Sequence, residues 1–295
     1  MNTEKQTAKR DLILFLGQSN MQGETERLTE TEAVEGVSEY RFLTDSLVPL
    51  QNPVGENIGH DMKPGYRYVY GGDQNQWLRD NVLAGVCFGY TNMVPEFMRA
   101  YRKKTGRDAV VVFAPRGSTT VGYWLPGTEG YRAVIEKTKA AIAFLGSETI
   151  GERYAVWLQG ESDAVYGATR ESYRKDLHTL VNALEEELSL TAFTVIKVGY
   201  FASLARWVQS PHEEALAHDE AIREAQEDVC RENPTCRMLT RIAGDLLLKG
   251  DPYLNPEVDG HFGATGLEVL GRIAGNNLGA IALGGEIEDP DPSSL

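Results

Sequence analysis

The chain has 295 residues, of which 42% are hydrophobic and 24% charged, with 30 glycines. That length can bury a sizeable core, and the balance of apolar and charged residues excludes a disordered protein. The 43 acidic and 29 basic residues leave a formal net charge of -14, which disfavours nucleic acid and anionic membranes as partners but leaves neutral ligands open.

The opening segment "MNTEKQTAKR" is polar and has no signal-peptide apolar region, and no run is long enough to span a membrane, so a cytoplasmic location is expected. Cys87, Cys230 and Cys236 make neither a CxxC pair nor a disulfide framework and read as free thiols. "DLILFL" (residues 11–16) reads as a first strand that runs into Gly17-Gln18-Ser19-Asn20. Residues 24–90 have poor periodicity and read as a loop-rich elaboration, a kind of segment that tends to be functional.

"MVPEFMRAYRKKTG" predicts a helix with Val94, Phe97, Met98 and Tyr101 on its apolar face. "DAVVVFA" follows as a buried strand broken by "PRGSTT", then a helix over 130–146, and then the strand "RYAVWLQ" broken by "GESDA". A long helix over 169–189 buries Tyr173, Leu177, Leu180, Val181, Leu184 and Leu188. "FTVIKVG" is a fourth strand, residues 213–232 an amphipathic helix, "CRMLTRI" a fifth strand, and residues 263–282 a glycine-rich closing helix. The tail, about 284–295, is expected to fray. Alternating strands and helices predict one α/β domain over 1–295, with a five-stranded parallel sheet covered on both faces.

In such a sheet, ligands bind beyond the C-terminal ends of the strands, where the polar breaks fall. Ser19 is a candidate nucleophile, but a serine hydroxyl needs a base to take its proton. Of the five histidines, His178, His212 and His218 lie on or beside helices and read as surface residues. His60 falls in the irregular excursion, where a place at the site rim is open, and His261, before the last helix, is the best base. The Ser19 and Gly117 amides and a side-chain amide, preferably that of Gln159, are candidate oxyanion donors; Asn20 could instead fix the turn.

These blocks resemble the SGNH hydrolases, in the branch of sialate O-acetylesterases and the acetylxylan esterases of carbohydrate esterase family six. "GQSNMQG" resembles the first block, "APRGST" followed by Trp124 the oxyanion block, "WLQGESD" the Gln-Gly-Glu block and "DGHF" the histidine block. The resemblance runs over roughly residues 10–280 and implies a three-layer α/β/α sandwich of flavodoxin-like type. It implies Ser19 as nucleophile, His261 as base, and the Ser19 and Gly117 amides with Gln159 as the oxyanion hole. The superfamily has Asp-x-x-His, whereas one residue separates Asp259 from His261 here. The group orienting His261 is therefore open between Asp259 and Glu161, with a backbone carbonyl or Glu257 as further options.

The implied reaction is a two-step removal of acetyl groups from an acetylated sugar of xylo-oligosaccharide or sialic acid type. An esterase on a non-sugar acyl ester and an inactive carbohydrate-binding relative are the alternatives. Arg116, Trp124 and Asn20 are candidate substrate-binding residues, and Arg116 would suit an anionic sugar. Tyr66, Tyr68, Tyr70 and Trp77 could line a sugar cleft or simply pack the excursion, which could also form a homo-oligomer surface. No metal-ligand cluster and no phosphate loop is present, so no cofactor is expected.

Overall fold

Strand β1 (Arg10–Gly17) is buried along nearly its whole length, as a central strand covered on both faces must be. The computed structural model describes residues 9–29, 32–56, 85, 87 and 90–295. β4 (Ala109–Phe113) and β5 (Ile150–Leu158) flank β1 in parallel, and β6 (Ala192–Ile196) and β7 (Cys236–Thr240) extend the sheet beyond β5.

The sheet nevertheless has seven strands rather than five, in the order β3-β2-β4-β1-β5-β6-β7, and it is mixed. β2 (Val37–Arg41) runs parallel to β4, and β3 (Ser46–Pro49) returns antiparallel at the edge. Both come from the segment expected to be loop-rich. β2 is short and carries a buried charge, Glu39, and β3 ends in a proline, which edge strands tolerate because it has no N–H to donate. Neither strand has the apolar run that marks most of the other five.

Alternate residues of β1 feed two cores. Leu12, Leu14 and Leu16 pack with α3 (Glu129–Leu145), the short α4 (Glu161–Val165), α5 (Arg170–Leu188) and α6 (His212–Glu232). Ile13 and Phe15 pack on the other face with α2 (Val94–Thr105), α7 (Ile242–Lys249) and α8 (Ala264–Ala282). The result is a three-layer α/β/α sandwich. The glycines of α8 have a packing role: a Cβ on Gly275 would lie 2.0 Å from the Phe97 carbonyl oxygen, so glycine lets α8 lie directly on α2. No helix among the described residues is long and apolar enough to cross a membrane.

The tail expected to fray is tied down. Asp289 accepts hydrogen bonds from Thr240 Oγ1, Asn277 Nδ2 and the Arg241 amide, and Asn277 accepts from the Glu288 amide.

Gly17 ends β1 with φ 142°, and a Cβ there would lie 1.9 Å from the Leu158 carbonyl oxygen on β5. Both the backbone angle and the close approach exclude a side chain. Gly17→Ala is expected to destabilise the fold by more than about 2 kcal/mol. Chemical unfolding checks this; a change within about 0.5 kcal/mol, the range of neutral surface substitutions, would remove the argument.

Candidate active site

The chain turns at Gly17 and enters the four-residue helix α1 (Ser19–Gln22). The Gln18 amide donates to Leu158 O (3.1 Å), while Gln18 O accepts from the Met21 and Gln22 amides at 2.9 and 2.8 Å. This fixes Ser19 at the C-terminal edge of the sheet, where its Oγ lies 2.7 Å from His261 Nε2. Two residues 242 positions apart are thus brought into direct contact.

His261 sits in a tight loop before α8. The Asn255 amide donates to His261 O (2.8 Å), and the Asn255 side-chain oxygen accepts from the Glu257 and Val258 amides. The Phe201 ring stands edge-on to the imidazole, with centroids 5.2 Å apart and planes at 83°. Phe201 is held by Asp219, whose buried carboxylate accepts from the amides of Phe201, Ala202 and Ser203.

The partner of His261 Nδ1 is the main-chain carbonyl oxygen of Asp259, at 3.0 Å. A carbonyl only accepts, so Nδ1 carries the proton and the Nε2 lone pair faces the Ser19 hydroxyl. Neither candidate carboxylate touches the ring nitrogen. The Asp259 carboxylate is engaged by Arg206, whose Nε lies 3.0 Å from both of its oxygens and whose terminal nitrogen lies 2.7 Å from one. Glu161 accepts from Asn20 Nδ2 (2.8 Å), and Asn20 Oδ1 accepts from the Phe262 amide (3.1 Å). Glu161 therefore bears on the histidine loop through Asn20.

Burial pushes the His261 pKa down, against the opposing pull of Glu24, the Asp259 carbonyl and the Asp259 charge. Glu24 Oε2 is 3.8 Å from Nε2. Burial also pushes Glu161 up to about 7 from 4.5, with the Asn20 hydrogen bond opposing. The unfolded carboxyl ionises near 4.5, so the stability that protonated Glu161 contributes is full below that value and is lost as pH rises through about 7.

Several expected roles are corrected by position. Gln159 is fully buried, and its NH2 is shared among Gln18 Oε1 (3.1 Å), Thr119 O (2.8 Å) and Asp163 Oδ2 (2.5 Å); it braces the nucleophile loop and is not aimed at Ser19. The Gly117 amide keeps its place near the Ser19 turn but donates to Gln22 Oε1 at 2.8 Å. Trp124 is in the core, ring against ring with Tyr123 and Trp157, its indole N–H on Thr119 Oγ1, and has no place in the cleft. Asn20 is a buried brace, for both ends of its amide are used within the fold. Arg116 is not among the cleft-lining residues. His178, His212 and His218 lie on helices and do not line the cleft that holds Ser19, while His60, Tyr66, Tyr68, Tyr70 and Trp77 fall outside the described residues.

Ser19 and His261 open into a cleft of about 180 Å³ walled by Glu24, Ser118, Tyr166, Phe201 and Trp207. A larger cavity of about 590 Å³ lies beside Cys230 and Cys236, but it contains no nucleophile–base pair. Among the described residues no cluster of three or more His, Cys, Asp or Glu side chains is placed to hold a metal ion. Sequence reasoning missed Glu24, Tyr166, Phe201, Trp207 and Asp219. All but Asp219 lie in irregular segments or at a helix end, where periodicity carries no signal.

Residues 9–274 match the family model described as carbohydrate esterase, sialic acid-specific acetylesterase. No curated protein sequence matches the chain significantly. The structure resembles a protein from Arabidopsis thaliana (TM-score 0.60, 17% identity, covering 91% of this chain and 98% of that one). It also resembles NanS (0.58, 14%, 92% and 97%) and a carbohydrate acetylesterase from Xanthomonas citri (0.53, 16%, 93% and 56%). At these identities the structural likenesses establish the shared fold.

Two outcomes follow from the histidine geometry. Because the orienting oxygen is main-chain, Asp259→Asn should keep kcat within about tenfold of wild type, whereas removing a carboxylate bonded to the base costs about 10⁴-fold. Ester-hydrolysis rates on the purified variant decide between them. The acidic limb of kcat/KM should lie below pH 6.5, since hydrolysis needs neutral His261 and burial lowers its pKa. Glu24→Gln removes a charge that favours the imidazolium and should move that limb further to the acid side; a shift to higher pH would contradict the assignment.

Proposed function

Because the chain belongs to the carbohydrate esterase family of sialic acid-specific acetylesterases, we propose that it removes acetyl groups from an acetylated carbohydrate, with Ser19 as nucleophile and His261 as base. The observation that carries the assignment of roles is the 2.7 Å contact between Ser19 Oγ and His261 Nε2. It matters because the tautomer is set: with Nδ1–H on the Asp259 carbonyl, Nε2 is the nitrogen free to take the serine proton.

In this reading Ser19 Oγ attacks the acetyl carbonyl as its proton passes to His261 Nε2. The imidazolium then protonates the departing sugar oxygen, leaving an acetyl-serine. Water, deprotonated by the same nitrogen, attacks that ester and releases acetate. The Asp259 carbonyl stabilises the imidazolium through a neutral acceptor, helped by the Glu24 and Asp259 charges.

The negative oxygen of each tetrahedral intermediate needs donors. The Ser19 amide has no acceptor among the described residues and opens α1. Gln18 lines the cleft; its side-chain oxygen is taken by Gln159 and the Ser162 amide, while its NH2 has no acceptor among the described residues. Gln18 thus takes the place of Gln159 as the side-chain donor. The Gly117 amide remains a further donor once Gln22 Oε1 gives way to the substrate oxygen. The net charge of -14 argues against polyanionic partners.

Acetate release from p-nitrophenyl acetate and from acetylated sugars tests the reading. Ser19→Ala and His261→Ala should each lower kcat by at least about 10³-fold while the fold is retained. Undiminished hydrolysis in folded Ser19→Ala would place the nucleophile elsewhere.

A further inference from the structure

We infer that the cleft is built for a neutral acetylated sugar and discriminates against carboxylated ones, with Trp207 and Tyr166 as the stacking surface and Glu24 as the discriminating charge. The inference deepens the esterase reading above and rests on it.

Two large rings stand in solvent at the mouth of the site. Trp207 is 58% exposed and Tyr166 75% exposed, and both line the cleft that holds Ser19 and His261. Their exposure leaves apolar ring faces wet in the free protein. Trp207 packs against Phe201 on one side. Its ring lies 6.1 Å from Phe201 at 69°, and Phe201 in turn packs 5.2 Å from the His261 imidazole. The aromatic wall therefore leads from the surface to the catalytic base. A flat ring of this kind complements the C–H face of a pyranose, while hydroxyls around the sugar rim remain available to polar groups. The cleft, about 180 Å³, is smaller than sites that enclose a drug-sized ligand. It suits the acetyl group and part of one sugar ring, with further units lying over the open rings.

The charge of the cleft points the same way. Among its described lining residues, Glu24 is the one carboxylate, and no lysine or arginine accompanies it. Its backbone carbonyl is held by Asn255 Nδ2 at 2.9 Å, and its carboxylate oxygen stands 3.8 Å from His261 Nε2. Arg206, next to Trp207 in sequence, is already bound to Asp259 through two nitrogens. A carboxylate beside the reacting centre accepts hydroxyl hydrogens well and repels a second carboxylate in a half-buried site. An acetylated neutral sugar meets an acceptor there; an acetylated sialic acid brings a like charge.

The test compares acetylated xylo-oligosaccharide, O-acetylated N-acetylneuraminic acid and p-nitrophenyl acetate on the full chain. Wild type should show kcat/KM at least about tenfold higher on the neutral sugar ester than on the sialic acid ester. Trp207→Ala and Tyr166→Ala should each lower the ratio of kcat/KM on the xylo-oligosaccharide to that on p-nitrophenyl acetate by about three- to tenfold, through KM. Glu24→Gln should narrow the gap between neutral and anionic sugar esters by about fivefold or more. Equal or faster turnover of the sialic acid ester, or unchanged ratios in both ring variants, would overturn the inference while leaving the esterase reading in place. If Ser19-dependent hydrolysis is absent altogether, that reading fails, and sugar recognition is judged by binding. Xylo-oligosaccharide should then quench tryptophan fluorescence in Ser19→Ala but not in the protein carrying Trp207→Ala as well; no quenching in the former would overturn the inference too.

Discussion

The hydrogen bond from His261 Nδ1 to the main-chain carbonyl of Asp259 is the interaction on which the site depends. It decides which ring nitrogen is basic, and so gives meaning to the short contact with Ser19. A main-chain acceptor has a structural consequence. Its position is set by the path of the backbone through residues 255–261, so the loop itself must be held rigid. Asn255 holds it with its own amide and side chain, and the pairing of Leu254 with Phe262 closes it.

The rest of the buried polar network serves the same purpose. Glu161 reaches Asn20, and Asn20 reaches the Phe262 amide, so the helix that carries Ser19 and the loop that carries His261 are joined through one asparagine. Gln159 ties Gln18 to Asp163, and Asp163 in turn accepts from the Val121 amide. Burial pushes Asp163 up to about 6, with the Gln159 and Val121 hydrogen bonds opposing. Polar groups so deeply buried are costly unless satisfied; here the Asn20, Gln159 and Asp163 contacts are made, while Glu161 Oε2 has no partner among the described residues, consistent with burial favouring the protonated carboxyl. The same polar residues thus specify the fold at its functional end.

Most of the strands legible from sequence carry apolar runs, because both of their faces are covered; β7 is the exception, with the exposed Arg237 between Cys236 and Met238. β2 and β3 were hidden: a buried Glu39 interrupts one and Pro49 ends the other. Ser19 was legible as a hydroxyl at the end of β1, and His261 as the histidine just before the last helix. The group that orients His261 was not, because a main-chain carbonyl leaves no side-chain signature; it stood only as one option among four. Gln159 and Trp124 show a different limit. Sequence places them beside the site, but whether a side chain turns inward or outward depends on packing partners that come from distant segments. Tyr166 and Trp207 escaped for the opposite reason, since an exposed ring near a helix end or in a loop follows no period.

The most direct measurement is of the histidine tautomer itself, by nitrogen–proton correlation NMR of the imidazole rings, with His261→Gln used to assign the signal. At neutral pH the account predicts a neutral ring protonated at Nδ1, with Nε2 showing the shift of an unprotonated nitrogen. A ring protonated at Nε2, or one already doubly protonated at neutral pH, would contradict it.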